Sequence, residues 1–276
     1  MTNPPARFAL DHITAIDTTP IRLAELARAS GCDAICLFMQ PMEVLPLLPQ
    51  FDLYGSPAER QALVRRMADL GVSVDVAYPF TIAGRTEIAG FTRAMECAAE
   101  IGADVLNALL YDRDPVRRVE RFEEFCALAG SFGLRTGIEF YPPSQVRSLA
   151  DALATAEAVG RVGQVGINVD LLHLMRSGGT FAELAAAPAE RIFYGQLCDG
   201  AAEAPADIEG EASSERLLPG EGVFDLAGFV RALPAGCPLS IEIPRNAAAL
   251  AGEPVEERVR KAVDGVRAAI GGAGGA

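Results

Sequence analysis

Apolar residues along this chain fall into two alternating patterns. Short continuous runs, rich in β-branched and aromatic residues, occupy 8–14, 33–40, 72–80, 104–111, 135–141, 165–170, 191–199 and 238–244. Between them lie stretches with apolar residues at helical spacing: 20–30, 57–70, 88–101, 115–132, 149–159, 181–186, 225–233 and 255–269. The runs predict strands buried on both faces, and the spaced stretches predict amphipathic helices. Glycine follows the predicted helices at Gly31, Gly71, Gly102, Gly133 and Gly160, where a left-handed cap is needed. Single strands alternating with single helices imply a parallel sheet covered by helices. Repeated over a chain of this length, the pattern predicts an α/β protein built as one closed (β/α)₈ barrel. A doubly wound dinucleotide fold is disfavoured, because no Gly-x-Gly-x-x-Gly follows the first run. The barrel is expected to span 1–271, with the Gly/Ala tail at 272–276 disordered.

Composition narrows the function. The chain has 276 residues, is 50% hydrophobic and carries a net charge of −13. That charge, without a basic run, argues against nucleic acid as a partner. No apolar stretch approaches the ~20 residues of a membrane span, so no membrane partner is expected. The N-terminus lacks the basic and apolar regions of a secretory signal. Six cysteines are scattered in apolar contexts. They are expected to be reduced thiols of a cytoplasmic protein whose partner is a small-molecule substrate. The composition is compatible with a monomer or a homo-oligomer.

Candidate chemistry concentrates in the second half. In 165–174 the apolar run ends in Asp170, and His173, one of only two histidines, follows in the first turn beyond. The site of a (β/α)₈ barrel lies at the C-terminal ends of its strands. There the fifth run carries Glu139, the sixth Asp170, the seventh Gln196 and Asp199, and the eighth Glu242. A charge inside a buried run needs a partner. Carboxylates converging at ~4 Å repel by roughly 4 kcal/mol per pair at an effective dielectric of 20. The compensation is an arginine, a helix N-terminus or a metal. Arg147, Arg176 and Arg245 are near in sequence but share none of those runs. A divalent cation is the simpler partner. Glu139, Asp170, Gln196 and Glu242 make an all-oxygen set, which favours Mn²⁺ or Mg²⁺ over Zn²⁺ or Co²⁺. The polar loop 200–222 is expected to be mobile and to close over substrate, with Arg216 reaching a substrate oxygen.

These residues resemble the sugar phosphate isomerase/epimerase family of xylose isomerase-like barrels. That group also contains endonuclease IV and the inosose and 3-dehydroshikimate dehydratases. The resemblance covers nearly the whole chain and is sharpest from Gly137 onward. It implies that Glu139, Asp170 and Glu242 ligate metal, with His173 three residues after the aspartate. It also matches Leu218-Pro219-Gly220-Glu221-Gly222 to the family's Pro-Gly-x-Gly turn. Many epimerases of the group have a histidine ligand where this chain has Gln196. Gln196, with Arg216 shortly before the turn, resembles the 3-dehydroshikimate dehydratase branch. The ketose 3-epimerases carry a second glutamate six residues after the strand-5 ligand, where this chain has Gln145. The three-zinc site of endonuclease IV needs more histidines than the chain has.

The resemblance implies first a metal-dependent isomerase or epimerase of a sugar, keto-polyol or related hydroxyketone. Glu139 and Glu242 would then move protons on opposite faces, with His173 on a substrate oxygen. The alternative is a dehydratase with His173 as acid/base, and the third reading is a non-catalytic sugar-binding barrel. Arg216, Asp199 and Gln145 are the expected substrate contacts.

Overall fold

A computed structural model describes residues 7–271. Eight strands form a closed parallel barrel in sequence order. They are β1 (Phe8–Asp11), β2 (Ala34–Phe38), β3 (Ser73–Ile82), β4 (Val105–Leu110), β5 (Arg135–Glu139), β6 (Val165–Asp170), β7 (Ile192–Leu197) and β8 (Leu239–Ile241). β1 closes the ring on β8, Leu10 pairing with Ile241. The predicted tail at 272–276 lies outside the described residues.

The helices between strands begin and end where local chemistry dictates. Thr19, Ser56 and Asp114 cap the helices Pro20–Ala29, Pro57–Leu70 and Pro115–Ser131, each with proline in its first turn. Gly71 ends the second of these with φ 65°, a conformation that costs a side-chain-bearing residue about 1–2 kcal/mol. Burial between strands and helices makes the core, where Phe80, Phe91 and Phe125 meet edge-on or tilted with centroids 5.4–5.6 Å apart. Inside the barrel, toward the strand N-termini, Asp75 accepts from Arg7 and from the Tyr194 hydroxyl. This network closes that end and leaves the opposite mouth for chemistry.

Register brings the polar strand residues to one level. Glu139 on β5 pairs with Asn168 on β6, and Asp170 on β6 pairs with Gln196 on β7. The first run stops as a strand at Asp11 because its carboxylate accepts the Ile13 N–H and starts the turn His12–Ala15. The six cysteines are all free thiols, as expected. Among the described residues no helix is long and apolar enough to cross a membrane.

The loop 200–222 is not an irregular strap. It contains the helix Ile208–Ser214 and is tied down at several points. Asp199 accepts backbone N–H bonds from Gly200, Gly220, Gly222 and Phe224 at 2.8–3.0 Å. Arg176 grips Glu211 with two nitrogens, at 2.8 and 2.5 Å. The Pro-Gly-x-Gly turn needs its glycines here. Gly220 has φ 91°, and a Cβ on Gly222 would lie 2.3 Å from the Gly200 carbonyl and 2.4 Å from Asp199 Oδ1.

Candidate metal and active site

The barrel mouth opens into a cavity of about 290 Å³ lined on one side by Glu139, His173, Arg216 and Glu242. The other side is apolar: Ile13, Phe38, Met42 and Leu45, with Tyr78 between the two. Met42 and Leu45 come from the stretch after β2, which the sequence reading passed over.

One arginine organises the acids. Arg216 donates through Nη1 to Asp170 Oδ2 at 2.6 Å and through Nη2 to Glu242 Oε1 at 2.7 Å, while its Nε donates to the Ala212 carbonyl. Its guanidinium is almost fully buried, with 1% of the side chain exposed. Thus Arg216, expected to swing in on a mobile loop, is held inward against two carboxylates. It is also the arginine that could not be found by looking near those acids in sequence.

The carboxylates divide accordingly. Burial opposes ionisation of Asp170, but the Arg216 charge and the His173 N–H outweigh it and hold its pKa below the ordinary value. Asp170 also caps the helix Leu171–Arg176 by accepting the His173 N–H at 3.0 Å. For Glu242, burial and its acidic neighbours win over Arg216, and its pKa is raised. Glu139 is pushed up to about 8, mainly by burial and then by the Asp170 charge, against the Asn107 amide that donates to it. Asp11, which the sequence reading overlooked, sits buried across the mouth. Burial lifts its pKa to about 7 although the Tyr78 hydroxyl donates to it.

His173 packs on the Tyr141 ring at 4.9 Å between centroids and points Nε2 at Glu139 Oε1, 3.7 Å away. Burial lowers its pKa to about 4, with Arg216 opposing the charge on Asp170. At neutral pH it is therefore an uncharged imidazole, a proton acceptor and not the imidazolium acid.

Glu139, Asp170 and His173 offer ligand atoms that all lie within 4.8 Å of one another. Gln196 Nε2 donates to Glu242 Oε2, which leaves the buried Gln196 Oε1 with no partner. A second buried acceptor, Asp11 Oδ2, is also unpartnered. Orphaned oxygens beside carboxylates driven toward protonation are what a hard divalent cation relieves. The residues present therefore fit a metal ion.

Two expected substrate contacts are placed elsewhere. Gln145 lines a separate groove with Arg118, Val119 and Asp151 between two outer helices. Asp199 is 2% exposed and spends its carboxylate on the four backbone N–H groups of its loop. Arg85 and Arg113, which the sequence reading did not single out, line a neighbouring cleft of about 690 Å³. That cleft shares Tyr111 with the central cavity.

A family model described as xylose isomerase-like TIM barrel matches residues 24–269. The chain belongs to this family. A 3-dehydroshikimate dehydratase from Pseudomonas aeruginosa is 30% identical over 245 residues, covering 82% of this chain and 36% of the relative. The chain thus matches about a third of that longer protein's length. The crystal structure of the IolI protein with a bound zinc atom superposes with a TM-score of 0.77 at 20% identity, over 96% of this chain and 98% of that one. A D-psicose 3-epimerase, crystallised with D-fructose, gives a TM-score of 0.71 at 15% identity, over 96% and 99%. These two structural likenesses bear on the fold.

Proposed function

We propose that this barrel is a divalent-metal-dependent dehydratase that eliminates water from a cyclic β-hydroxy ketone bearing an acid, of the 3-dehydroshikimate type. The observation that carries the reading is the unequal state of the two glutamates. An epimerase needs a carboxylate free to exchange a proton on each face of one carbon. Here both oxygens of Glu242 are engaged, Oε1 by Arg216 and Oε2 by Gln196. Glu139 and His173 stand together on one side of the cavity, as a single-sided proton transfer requires. The dehydratase relative, and glutamine at position 196, support the same choice. The first expectation, an isomerase or epimerase, becomes the rival outcome of the test.

Glu139, Asp170, Gln196 and Glu242 would hold the cation, with His173 beside them. When bound, Mn²⁺ or Mg²⁺ would act as a Lewis acid on the substrate carbonyl and acidify the adjacent C–H. The neutral His173 then takes the α-proton through Nε2, and Glu139 stabilises the imidazolium. The C–O bond at the β-carbon breaks as the C=C bond forms. A histidine whose pKa is lowered gives up its proton readily, so His173 passes it to the departing hydroxide. Water leaves and the imidazole returns to its starting form. The apolar wall of Ile13, Phe38 and Leu45 suits the flat face of an unsaturated ring, and Arg85 and Arg113 in the adjoining cleft would receive its carboxylate.

Reaction with 3-dehydroshikimate and Mn²⁺ in D₂O, followed by mass spectrometry, tests this. A product lighter by one water is expected, and His173→Asn should slow it by roughly 10²–10⁴-fold. Deuterium incorporation at constant formula would establish the isomerase instead.

A further inference from the structure

We infer that Asn168 is a positioning residue for Glu139, acting through Asn107 to fix which glutamate oxygen faces the metal. The inference rests on Glu139 being a metal ligand, as proposed above. Three side chains from neighbouring strands form one chain inside the barrel. Asn168 Nδ2 on β6 donates to Asn107 Oδ1 on β4 at 3.1 Å, and Asn107 Nδ2 donates to Glu139 Oε2 on β5 at 2.5 Å. Asn107 and Asn168 are 3% and 1% exposed. Asn107 lines the cavity; Asn168 is not among its lining residues.

The direction of this chain is set from the glutamate end. As a metal ligand Glu139 is ionised and only accepts, so Asn107 must present its NH₂ to Glu139 and its carbonyl to Asn168. Asn168 must then donate, and its own Oδ1 is left buried without a partner. A buried amide would not adopt that orientation for its own sake. The unsatisfied Oδ1 marks a network ordered for the benefit of Glu139. With Oε2 occupied by Asn107, only Oε1 remains to face His173 and the mouth. Partners one step behind a metal ligand fix its orientation in this way.

The test is Mn²⁺ titration of wild type, Asn168→Asp, Asn168→Ala, Asn107→Ala and the Asn107→Ala/Asn168→Asp double variant, with folding followed by circular dichroism. Asn168→Asp can only accept from Asn107, which turns the Asn107 carbonyl toward Glu139. Its dissociation constant should rise by about 10–100-fold, although an added negative charge by itself would tighten cation binding. Asn168→Ala frees Asn107 without reversing it and should weaken binding to a smaller, measurable degree. Once Asn107 is gone the relay is broken, so Asn168→Asp should then no longer weaken binding, leaving at most the tightening due to its added charge. A purely structural role would persist in that background. Wild-type affinity in Asn168→Ala, or an undiminished Asn168→Asp effect without Asn107, overturns the inference while leaving the metal site standing. If Asn168→Asp does not fold, Asn168→Ala with and without Asn107 decides. Failure of the wild-type protein to bind Mn²⁺ removes both the relay and the metal site.

Discussion

Replacing Arg216 by glutamine tests whether its main work is electrostatic. The guanidinium bridges Asp170 and Glu242 at 2.6 and 2.7 Å. The Asp170 side chain is fully buried and that of Glu242 is 9% exposed. Removing one member of a buried ion pair destabilises by about 3–5 kcal/mol, because the remaining charge is left in a medium that cannot solvate it. For a chain of this size each kcal/mol moves the melting temperature by about 2–4 °C, so a fall of about 10 °C is expected. The effect should depend on pH. In the wild type the Asp170 pKa is depressed, so its contribution is present above the unfolded value of 3.8 and is lost as pH falls through the folded value. Without Arg216 the carboxylate must hold a proton to stay buried, and the penalty grows as pH rises. The wild-type and variant melting curves should therefore converge near pH 4 and separate most at pH 8, measured in chelator-treated protein. Added Mn²⁺ should recover part of the loss and bind no more weakly than to wild type, since a positive charge has been removed. A substrate clamp would behave otherwise, with impaired turnover at unchanged stability. A melting temperature within about 1 °C of wild type at pH 8, where several degrees per lost pair are due, would refute the ion-pair assignment.

Two further outcomes follow from other parts of the molecule. His12 is buried and neutral, its Nε2–H donating to the Thr18 carbonyl at 2.9 Å while Nδ1 accepts the Phe38 N–H at 3.3 Å. Burial lowers its pKa from 6.5 to about 4, so its contribution is full above 6.5 and declines by roughly 3 kcal/mol as pH falls to 4. Urea unfolding of His12→Gln should lack that part of the acid slope, and parallel wild-type and variant slopes would contradict it. Arg85→Ala and Arg113→Ala should raise KM for an acidic substrate, with little change in Mn²⁺ affinity. An unchanged KM in the double variant would remove the cleft from substrate recognition.

The barrel was legible because its signals are periodic and local. Continuous apolar runs marked every strand, and three helices, Pro57–Leu70, Leu149–Val159 and Phe181–Ala186, coincide with their predicted limits. Where ends shifted, a side chain was responsible, as at Asp11, which ends β1 by capping the next turn. The acids at strand ends were legible for the same reason, being charges inside apolar runs. What could not be read was pairing across the fold. Arg216 lies 46 residues from Asp170 and 26 from Glu242 in sequence. Gln145 was matched by counting six residues from Glu139, but counting does not give the path of the loop. Tyr141 bonds back to Val146, and the Gln145 N–H donates to the Leu110 carbonyl, so the side chain faces the helix groove. Asp11 and Asn107 carried the signal of the other site residues, a polar group inside an apolar run, and could have been found by extending it to β1 and β4.

The charge balance of the mouth explains why an arginine and a metal need not be alternatives. Asp11, Glu139, Asp170 and Glu242 are each less than 9% exposed, and Arg216 is the cation buried among them. Arg216 contacts only two of the four, and those two come from β6 and the end of β8. The acids it does not touch, Glu139 and Asp11, are raised to about 8 and about 7, and burial among these acids raises Glu242 as well despite its contact with Arg216. Their raised pKa values draw in protons in place of a missing positive charge. A divalent ion would displace protons from the Glu139 side without competing with Arg216 for its own contacts. Gln196 stands at the boundary, its nitrogen on Glu242 and its oxygen unpartnered. An amide can do both at once because donor and acceptor sit on opposite arms of one planar group. A histidine ligating through one nitrogen could still donate through the other, but it would replace a hard oxygen with a softer imidazole. At the proposed metal site, a preference for an oxygen-seeking ion such as Mn²⁺ or Mg²⁺ would follow from the same residue that keeps Glu242 tied to the arginine side.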